Sequence, residues 1–287
     1  MRPRGAPELL PVPSPHGAPF GDITGDPGAG VVPQADPPAG RPPHQLAWPG
    51  LMAVWAAAAL PMAFAAWVVA PWLADRSGWS AGLPGALIVT LTAGLVWQAL
   101  LTLALVVREQ RTWRWGVLCD ALWLRAPRSP RTGRRGGRAW WVVAPFVVAF
   151  ALESALPSLP FPADHDLGTF LGSDAGRSLL DGSWGWFALI ALMLVANTVV
   201  GEELLFRGYL LPRSAGVFGR RAWLGNGVMF ALYHLHMPWA IPAALLDAFV
   251  LAWPSQRWRS ALVGIAVHSA QSVVILGMVL AVVLGAG

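Results

Sequence analysis

The stretch VVGEELLFRGYLLP, residues 199–212, places three charged side chains in an otherwise apolar segment. The charged residues are Glu202, Glu203 and Arg207. Each charge at the centre of a bilayer costs about 2.5–3.5 kcal/mol on insertion scales, so such residues are usually paired or functional. The stretch therefore predicts a helix of a membrane-embedded bundle that carries a functional site.

The chain around this stretch has the composition of a membrane protein. Of its 287 residues, 55 % are apolar and 12 % are charged, and the charged share is about half of that in soluble domains. Its apolar segments span residues 47–73, 83–107, 139–157, 184–211, 222–237, 239–253 and 260–285. We therefore predict an all-α fold: a polytopic bundle of about seven transmembrane helices within a membrane domain at 47–287.

The region before the first apolar segment has a different composition. Residues 1–46 contain twelve prolines and no apolar periodicity. Such a segment cannot bury enough apolar surface to offset the entropy of ordering the chain. We predict that it is a disordered tail.

The distribution of arginines predicts the orientation in the membrane. The loop 108–138 carries nine arginines, whereas residues 158–183 carry four aspartates and a single arginine. Because cytoplasmic loops are enriched in basic residues, the N-terminus is predicted to lie on the cytoplasmic side of the cell membrane. The same rule explains the net charge of +5, so no nucleic-acid partner is expected. Cys119 is the only cysteine, which excludes an intrachain disulfide and a cysteine-based metal site.

Helical geometry divides the roles of the three charges. Glu203 and Arg207 stand one turn apart on one helix face, in the order that favours an ion pair. Glu202 points about 100° away from Glu203, toward a different neighbour. The pair is therefore expected to be structural, while Glu202 remains available for chemistry.

Two other apolar segments contain histidines at a similar depth. FALYHLHM carries His234, and VGIAVHSAQSVV carries His268 with Ser272 one turn later. At 1.5 Å per residue from the predicted cytoplasmic helix ends, Glu202, His234 and His268 lie about 14, 16 and 12 Å deep. We expect these three side chains to meet in one layer. His236 is expected on the opposite side of its helix from His234.

Two kinds of chemistry fit a carboxylate and two imidazoles in an aqueous pocket. Glu202 can act as a general base toward water, with a histidine orienting that water and another group stabilising the oxyanion. Alternatively Glu202, His234 and His268 can ligate a divalent metal such as zinc, which activates the water. Both routes lead to hydrolysis of an amide bond in the membrane.

The motifs around these residues resemble those of the CPBP family, the CAAX prenyl endopeptidase and bacteriocin-processing (Abi) intramembrane proteases. The family's E-E-x-x-x-R motif is present as EELLFR, residues 202–207, and its F-x-x-x-H motif as FALYH, residues 230–234. The third motif, H-x-x-x-N or H-x-x-x-D, begins at His268, with Ser272 in the Asn/Asp position. The resemblance covers about residues 184–280.

This resemblance implies an intramembrane endopeptidase, of glutamic type or metal-dependent, that cleaves near the cytoplasmic face. By analogy with the family, Glu202 and His234 activate water, and His268 and Ser272 form the oxyanion pocket. The residues implied to support them are Glu203, Arg207 and Phe230. A hydroxyl at position 272 still donates a hydrogen bond, but it is shorter than the family's amide or carboxyl group. The implied substrate is a peptide or a membrane protein within the lipid bilayer.

The sequence also allows two functions of other classes. One is a catalytically inactive membrane scaffold or regulator that keeps the fold and the Glu203–Arg207 pair. The other is a small transporter in which Glu202 couples transport to protons. The sequence does not determine the oligomeric state.

Overall fold

A computed structural model describes residues 43–78, 81–153, 159–160 and 162–285. In this part of the chain the secondary structure is helical, apart from an isolated β-bridge between Arg128 and Arg135. The all-α prediction is therefore confirmed for the described residues. Residues 1–42 of the predicted disordered tail lie outside the described residues.

The helices follow one another along the chain with short connections. The α-helices are α1 (Trp48–Phe64), α2 (Ala70–Ser77), α3 (Gly82–Gln110), α4 (Trp115–Ala121), α5 (Val143–Glu153), α6 (Leu167–Gly172), α7 (Asp174–Leu180), α8 (Trp184–Val195), α9 (Leu211–Arg213), α10 (Ala215–Phe218), α11 (Ala222–Tyr233), α12 (Ile241–Ala244), α13 (Trp253–Trp258) and α14 (Ala261–Val283). The π-helical segments are Ala65–Val69, Ala196–Gly201, Leu204–Leu210 and Ala248–Ala252, and the 3₁₀ segments are Gly137–Val142, Gly219–Arg221, His234–His236 and Pro238–Ala240.

Four continuous apolar helices of the described chain are long enough to cross a membrane. They are Trp48–Arg76, Gly82–Gln110, Trp184–Arg213 and Ala261–Val283. These match the first, second, fourth and seventh predicted segments. The other three are built from shorter helices: Gly137–Leu152 for the third, α11 for the fifth, and α12 to α13 for the sixth. The number of seven crossings therefore stays a prediction.

The helix that carries the charged stretch changes its hydrogen-bond pattern around Glu202. It runs as α8, passes through the π-helical segments Ala196–Gly201 and Leu204–Leu210, and ends as α9. Gly201 lies against α3, where a Cβ would come within 3.2–3.3 Å of Leu95. The glycine thus allows the two helices to approach closely, and Glu202 is held at the α3 interface. Wide π turns inside helices often occur at functional sites.

Helix α11 is fixed to its neighbours by side-chain to backbone hydrogen bonds. The amide of Asn226 donates to the carbonyl of Phe206 at 2.9 Å, and the indole of Trp55 donates to Met229 O at 2.8 Å. Gly227 packs directly on Ala248, where a Cβ would overlap that residue. Small residues and interhelical hydrogen bonds are the usual means of joining membrane helices. They place the end of α11, with His234, beside the helix of Glu202.

A buried ion pair joins the ends of two long helices. Arg213, fully buried, donates to both carboxylate oxygens of Glu109, at 2.7 and 3.1 Å. Its guanidinium also donates to the carbonyls of Tyr209 and Ala121. Arg213 therefore ties the end of α3 to the end of α9.

Candidate active site

The structure places the predicted site residues inside the bundle. Their relative exposures are 3 % for Glu202, 0 % for Glu203 and Arg207, 6 % for His268 and 8 % for Ser272. His234 is half-buried at the end of α11. These side chains come from three separate helices.

Glu203 connects two helices through one carboxylate oxygen. Its Oε1 lies 3.1 Å from Nη1 of Arg207 and 3.2 Å from Nδ1 of His268. The expected pair with Arg207 is present, and His268 of α14 is an additional partner. Gly264 makes this approach possible, because a Cβ there would overlap Oε2 of Glu203. Glu203 therefore orients the imidazole of His268 as well as facing the arginine.

Arg207 is held by an aromatic ring as well as by charge. Its guanidinium carbon lies 4.0 Å from the centre of the Phe230 ring, which is a cation–π contact. No group in the described chain makes a well-aligned hydrogen bond to the three guanidinium nitrogens. The Glu203 contact is thus a close ion pair rather than a directed hydrogen bond. Phe230, the first residue of the second motif, accordingly supports Arg207.

His234 lies at the point where α11 ends and a 3₁₀ turn begins. Its Nδ1 lies 2.9 Å from the carbonyl oxygen of Phe230. Because a carbonyl only accepts hydrogen bonds, Nδ1 carries the proton, and in the neutral ring Nε2 is left as an acceptor. The expectation for His236 was wrong: it is buried, and its ring stacks on His234 at 5.4 Å. The tighter turn brings both rings to one side, whereas a continuing α-helix would separate them.

Two side chains that the sequence analysis missed hold the carboxylate of Glu202. With its nitrogen turned toward Glu202, the amide of Asn197 donates to Oε1 at 2.8 Å and to Oε2 at 3.2 Å. The π turn between them stacks residues five apart, and the Glu202 N–H bonds the Asn197 carbonyl. The hydroxyl of Tyr233 also faces the carboxylate of Glu202 and interacts with it electrostatically. Nε2 of Gln98, on α3, donates to that hydroxyl at 2.7 Å.

A signal for two of the missed residues was present in the sequence. Gln98 and Asn197 are amides within apolar spans, where an unpartnered polar group is costly and usually faces a polar neighbour. Tyr233 had no such signal, because a tyrosine beside a phenylalanine in an apolar segment is typical of a packed core. Its role depends on the end of α11, which the sequence did not locate.

The charges of the cluster act on one another across the helices. Glu202 interacts electrostatically with His268, Glu203 and Arg207. His234 interacts with His268 and Arg207. The carboxylates of Glu202 and Glu203 thus share one buried cluster with the guanidinium of Arg207 and two imidazoles. Ser272 lies one turn beyond His268 on α14, and the ring of Phe150 packs edge-on against His268 at 5.5 Å.

The side chains proposed as metal ligands do not form a metal site as they are arranged. Within the described residues, no three His, Cys, Asp or Glu side chains are grouped so that they could hold a metal ion. This includes the predicted set of Glu202, His234 and His268. His268 faces Glu203 instead. The carboxylate of Glu202 faces the amide of Asn197 and the hydroxyl of Tyr233.

Comparison with known families gives a match over the segment that carries the three motifs. Residues 184–274 match the model of the Rce1-like family, the type II CAAX prenyl endopeptidases. This match supports the resemblance to the CPBP family over that part of the chain. The match includes all three motifs, whereas Gln98 and the basic loop 108–138 lie outside it. No curated protein and no solved structure matches the chain. The matched family is one of CAAX-type endopeptidases, and the four long apolar helices indicate a membrane protein.

Proposed function

We propose that this protein is an intramembrane endopeptidase in which Glu202 is the general base. The main support is the set of donors around its carboxylate. Asn197 and Tyr233 hold the group from two helices, within a buried cluster that includes both motif histidines. A membrane scaffold does not require such an arrangement around a carboxylate that makes no ion pair in the described chain. The geometry therefore favours an enzyme over the inactive alternative.

The proposed reaction is addition of water to a peptide carbonyl. Glu202 takes one proton of the water while the water oxygen bonds to the carbonyl carbon, and the electrons of the C=O bond move to oxygen. His234 orients the water through Nε2, since its Nδ1 is committed to the Phe230 carbonyl. When the tetrahedral intermediate collapses, the C–N bond breaks and the amine leaves with the proton from Glu202.

His268 and Ser272 are proposed to stabilise the oxyanion. With Nδ1–H directed at Glu203, a neutral His268 has an unprotonated Nε2 and cannot donate from it. Only the imidazolium presents an Nε2–H to the oxyanion. The Nδ1–H of the same ring is directed at Oε1 of Glu203, so the pair acts as one unit. The hydroxyl of Ser272 supplies the second donor.

This proposal uses the glutamic mechanism and routes no step through a metal. It also retains the predicted topology of a membrane domain at 47–287 with a cytoplasmic N-terminus and about seven spans. Under that topology the cut falls near the cytoplasmic face. The proposed substrate is a peptide or membrane protein that enters the bundle from the bilayer.

The function can be tested with the full-length protein in detergent micelles. We expect it to cleave peptides that end in a CAAX-type sequence, either farnesylated or unmodified, with fragments identified by mass spectrometry. The variant His234→Ala should lose this cleavage. His44→Ala, which removes an exposed histidine outside the family match, should retain it. Cleavage that stops on adding a chelator and returns with zinc would contradict the metal-free mechanism, and absence of cleavage in the wild type would contradict the function.

Tyr233→Phe is expected to lower kcat about 10- to 100-fold with little change in KM. The variant removes one donor to the Glu202 carboxylate, and hydrogen bonds to charged groups contribute about 1.5–3 kcal/mol. Since the ring is retained, packing against Phe206 and Phe230 should be preserved. Steady-state kinetics would measure the effect, with Tyr209→Phe as a control in the same bundle. A wild-type kcat in Tyr233→Phe would show that the hydroxyl does not position the base.

A further inference from the structure

A basic cavity lies apart from the proposed catalytic cluster. It has a volume of about 840 Å³ and opens between the loop 129–139 and the end of α13. Five arginines line it, namely Arg131, Arg134, Arg135, Arg138 and Arg257. No carboxylate is among its lining residues. The cavity is therefore a concentrated positive site in which an anion would be stabilised.

The backbone that carries these arginines is fixed by hydrogen bonds. The N–H of Ser129 donates to Arg134 O at 2.8 Å, and Gly136 N–H donates to Pro127 O at 3.0 Å. Gly136 has a φ of +73°, which permits the tight return of the loop. The loop is also joined to the end of α13, where Arg128 N–H donates to the carbonyl of Trp258 at 2.8 Å. The cavity is thus formed before any ligand binds.

Most of the charge in the cavity is not neutralised by the protein. Within the described chain, the side chains of Arg131, Arg134 and Arg138 make no hydrogen bond or ion pair. The nearby carboxylate of Asp120 accepts two hydrogen bonds from Arg125, from Nε at 2.6 Å and from Nη2 at 3.1 Å. A topological role accounts for arginines on this side of the membrane. It does not account for their convergence on one cavity, where like charges repel each other.

The cavity is located where apolar helices begin. Its lining residues Ala139 and Val142 lead into the apolar helix Gly137–Leu152, and Trp258 precedes the long helix α14. Trp141 is 76 % exposed beside it. Exposed tryptophans at helix ends are typical of the membrane–water interface. In a membrane-embedded bundle, this position would bring the arginines to the level of phospholipid headgroups.

We propose that this cavity binds the phosphate group of an anionic phospholipid. Planar guanidinium groups bind phosphate oxygens in pairs, and basic pockets between membrane helices bind lipid headgroups in this way. Inorganic phosphate and pyrophosphate share this chemistry. The position between two membrane-entering helices favours the lipid as the source. The proposal does not depend on the protease activity.

Native mass spectrometry of the full-length protein can test the site. The wild type is expected to retain phosphatidylglycerol and not phosphatidylcholine. The triple variant Arg131→Gln, Arg134→Gln, Arg138→Gln should bind phosphatidylglycerol at least tenfold more weakly, with an unchanged unfolding temperature. The matched control is Arg111→Gln, Arg114→Gln, Arg221→Gln, which removes three exposed arginines outside the cavity. It should bind like the wild type.

Several outcomes would overturn the proposal. Wild-type binding by the triple variant would show that the cavity is not the site. Equal loss in the control would show that binding follows net charge and not the cavity. Titration with inorganic phosphate and pyrophosphate distinguishes the sources: if these anions bind the cavity while phosphatidylglycerol does not, the ligand is a free phosphate and the lipid assignment is wrong.

Discussion

Replacing Glu202 by glutamine is expected to lower kcat/KM for peptide cleavage by about 10²- to 10⁴-fold, the usual contribution of a general base. Glutamine has nearly the shape of glutamate, and its side-chain oxygen can still accept from Asn197 and Tyr233. It cannot take a proton from water. Since a neutral amide is less costly to bury than a carboxylate, the variant should fold as well as the wild type.

For Glu202→Gln and the wild type, both the cleavage rate and the stability must be measured, so that a loss of catalysis is distinguished from a loss of folding. Fragment formation followed by mass spectrometry gives the rate, and thermal unfolding in detergent gives the stability. Asp120→Asn, which changes a half-exposed carboxylate in the basic loop, should leave cleavage within twofold of the wild type. If Glu202→Gln cleaved at the wild-type rate, Glu202 would not be the base, whatever the role of the histidines.

Features that depend on local geometry were predictable from the sequence. The approach of Glu203 to Arg207 follows from a separation of four residues in a helix, and it survives the change to π geometry after residue 203. The four long spans follow from the length of their apolar runs. The break after His236 follows from Pro238, which cannot continue the helix.

Features that depend on packing between distant segments were not predictable. The contact of Glu203 with His268 joins residues 65 apart, and that of Gln98 with Tyr233 joins residues 135 apart. Neither leaves a periodic pattern in a single sequence. Helical geometry pairs Glu203 with Arg207 alone, whereas in the structure the same oxygen also faces His268.

The change from α-helical to π-helical hydrogen bonding around Glu202 was also not predictable from the sequence. Its π turns stack Asn197 on Glu202, a separation of five that an ideal α-helix would place on different sides. Likewise, α11 ends at Tyr233, and the 3₁₀ turn that follows brings His236 to the same side as His234.

Replacing Arg207 by methionine is expected to lower the free energy of unfolding by about 3–5 kcal/mol, because it leaves the fully buried carboxylate of Glu203 without its arginine. Methionine keeps much of the volume against Phe230 but not the cation–π contact. Removing both charges, in Glu203→Gln with Arg207→Met, should restore a large part of this stability, since neither member of the pair is then left buried without the other.

Denaturant unfolding in mixed micelles, followed by tryptophan fluorescence, measures the differences between these variants. Arg125→Met is the matched control, because its pair with Asp120 is half-exposed and is expected to contribute less than about 1 kcal/mol. Activity provides an independent readout. The double variant should remain inactive even where it is stable, since Glu203 also holds His268. A double variant as unstable as Arg207→Met would mean that packing against Phe230, and not charge pairing, is what Arg207 contributes to the fold.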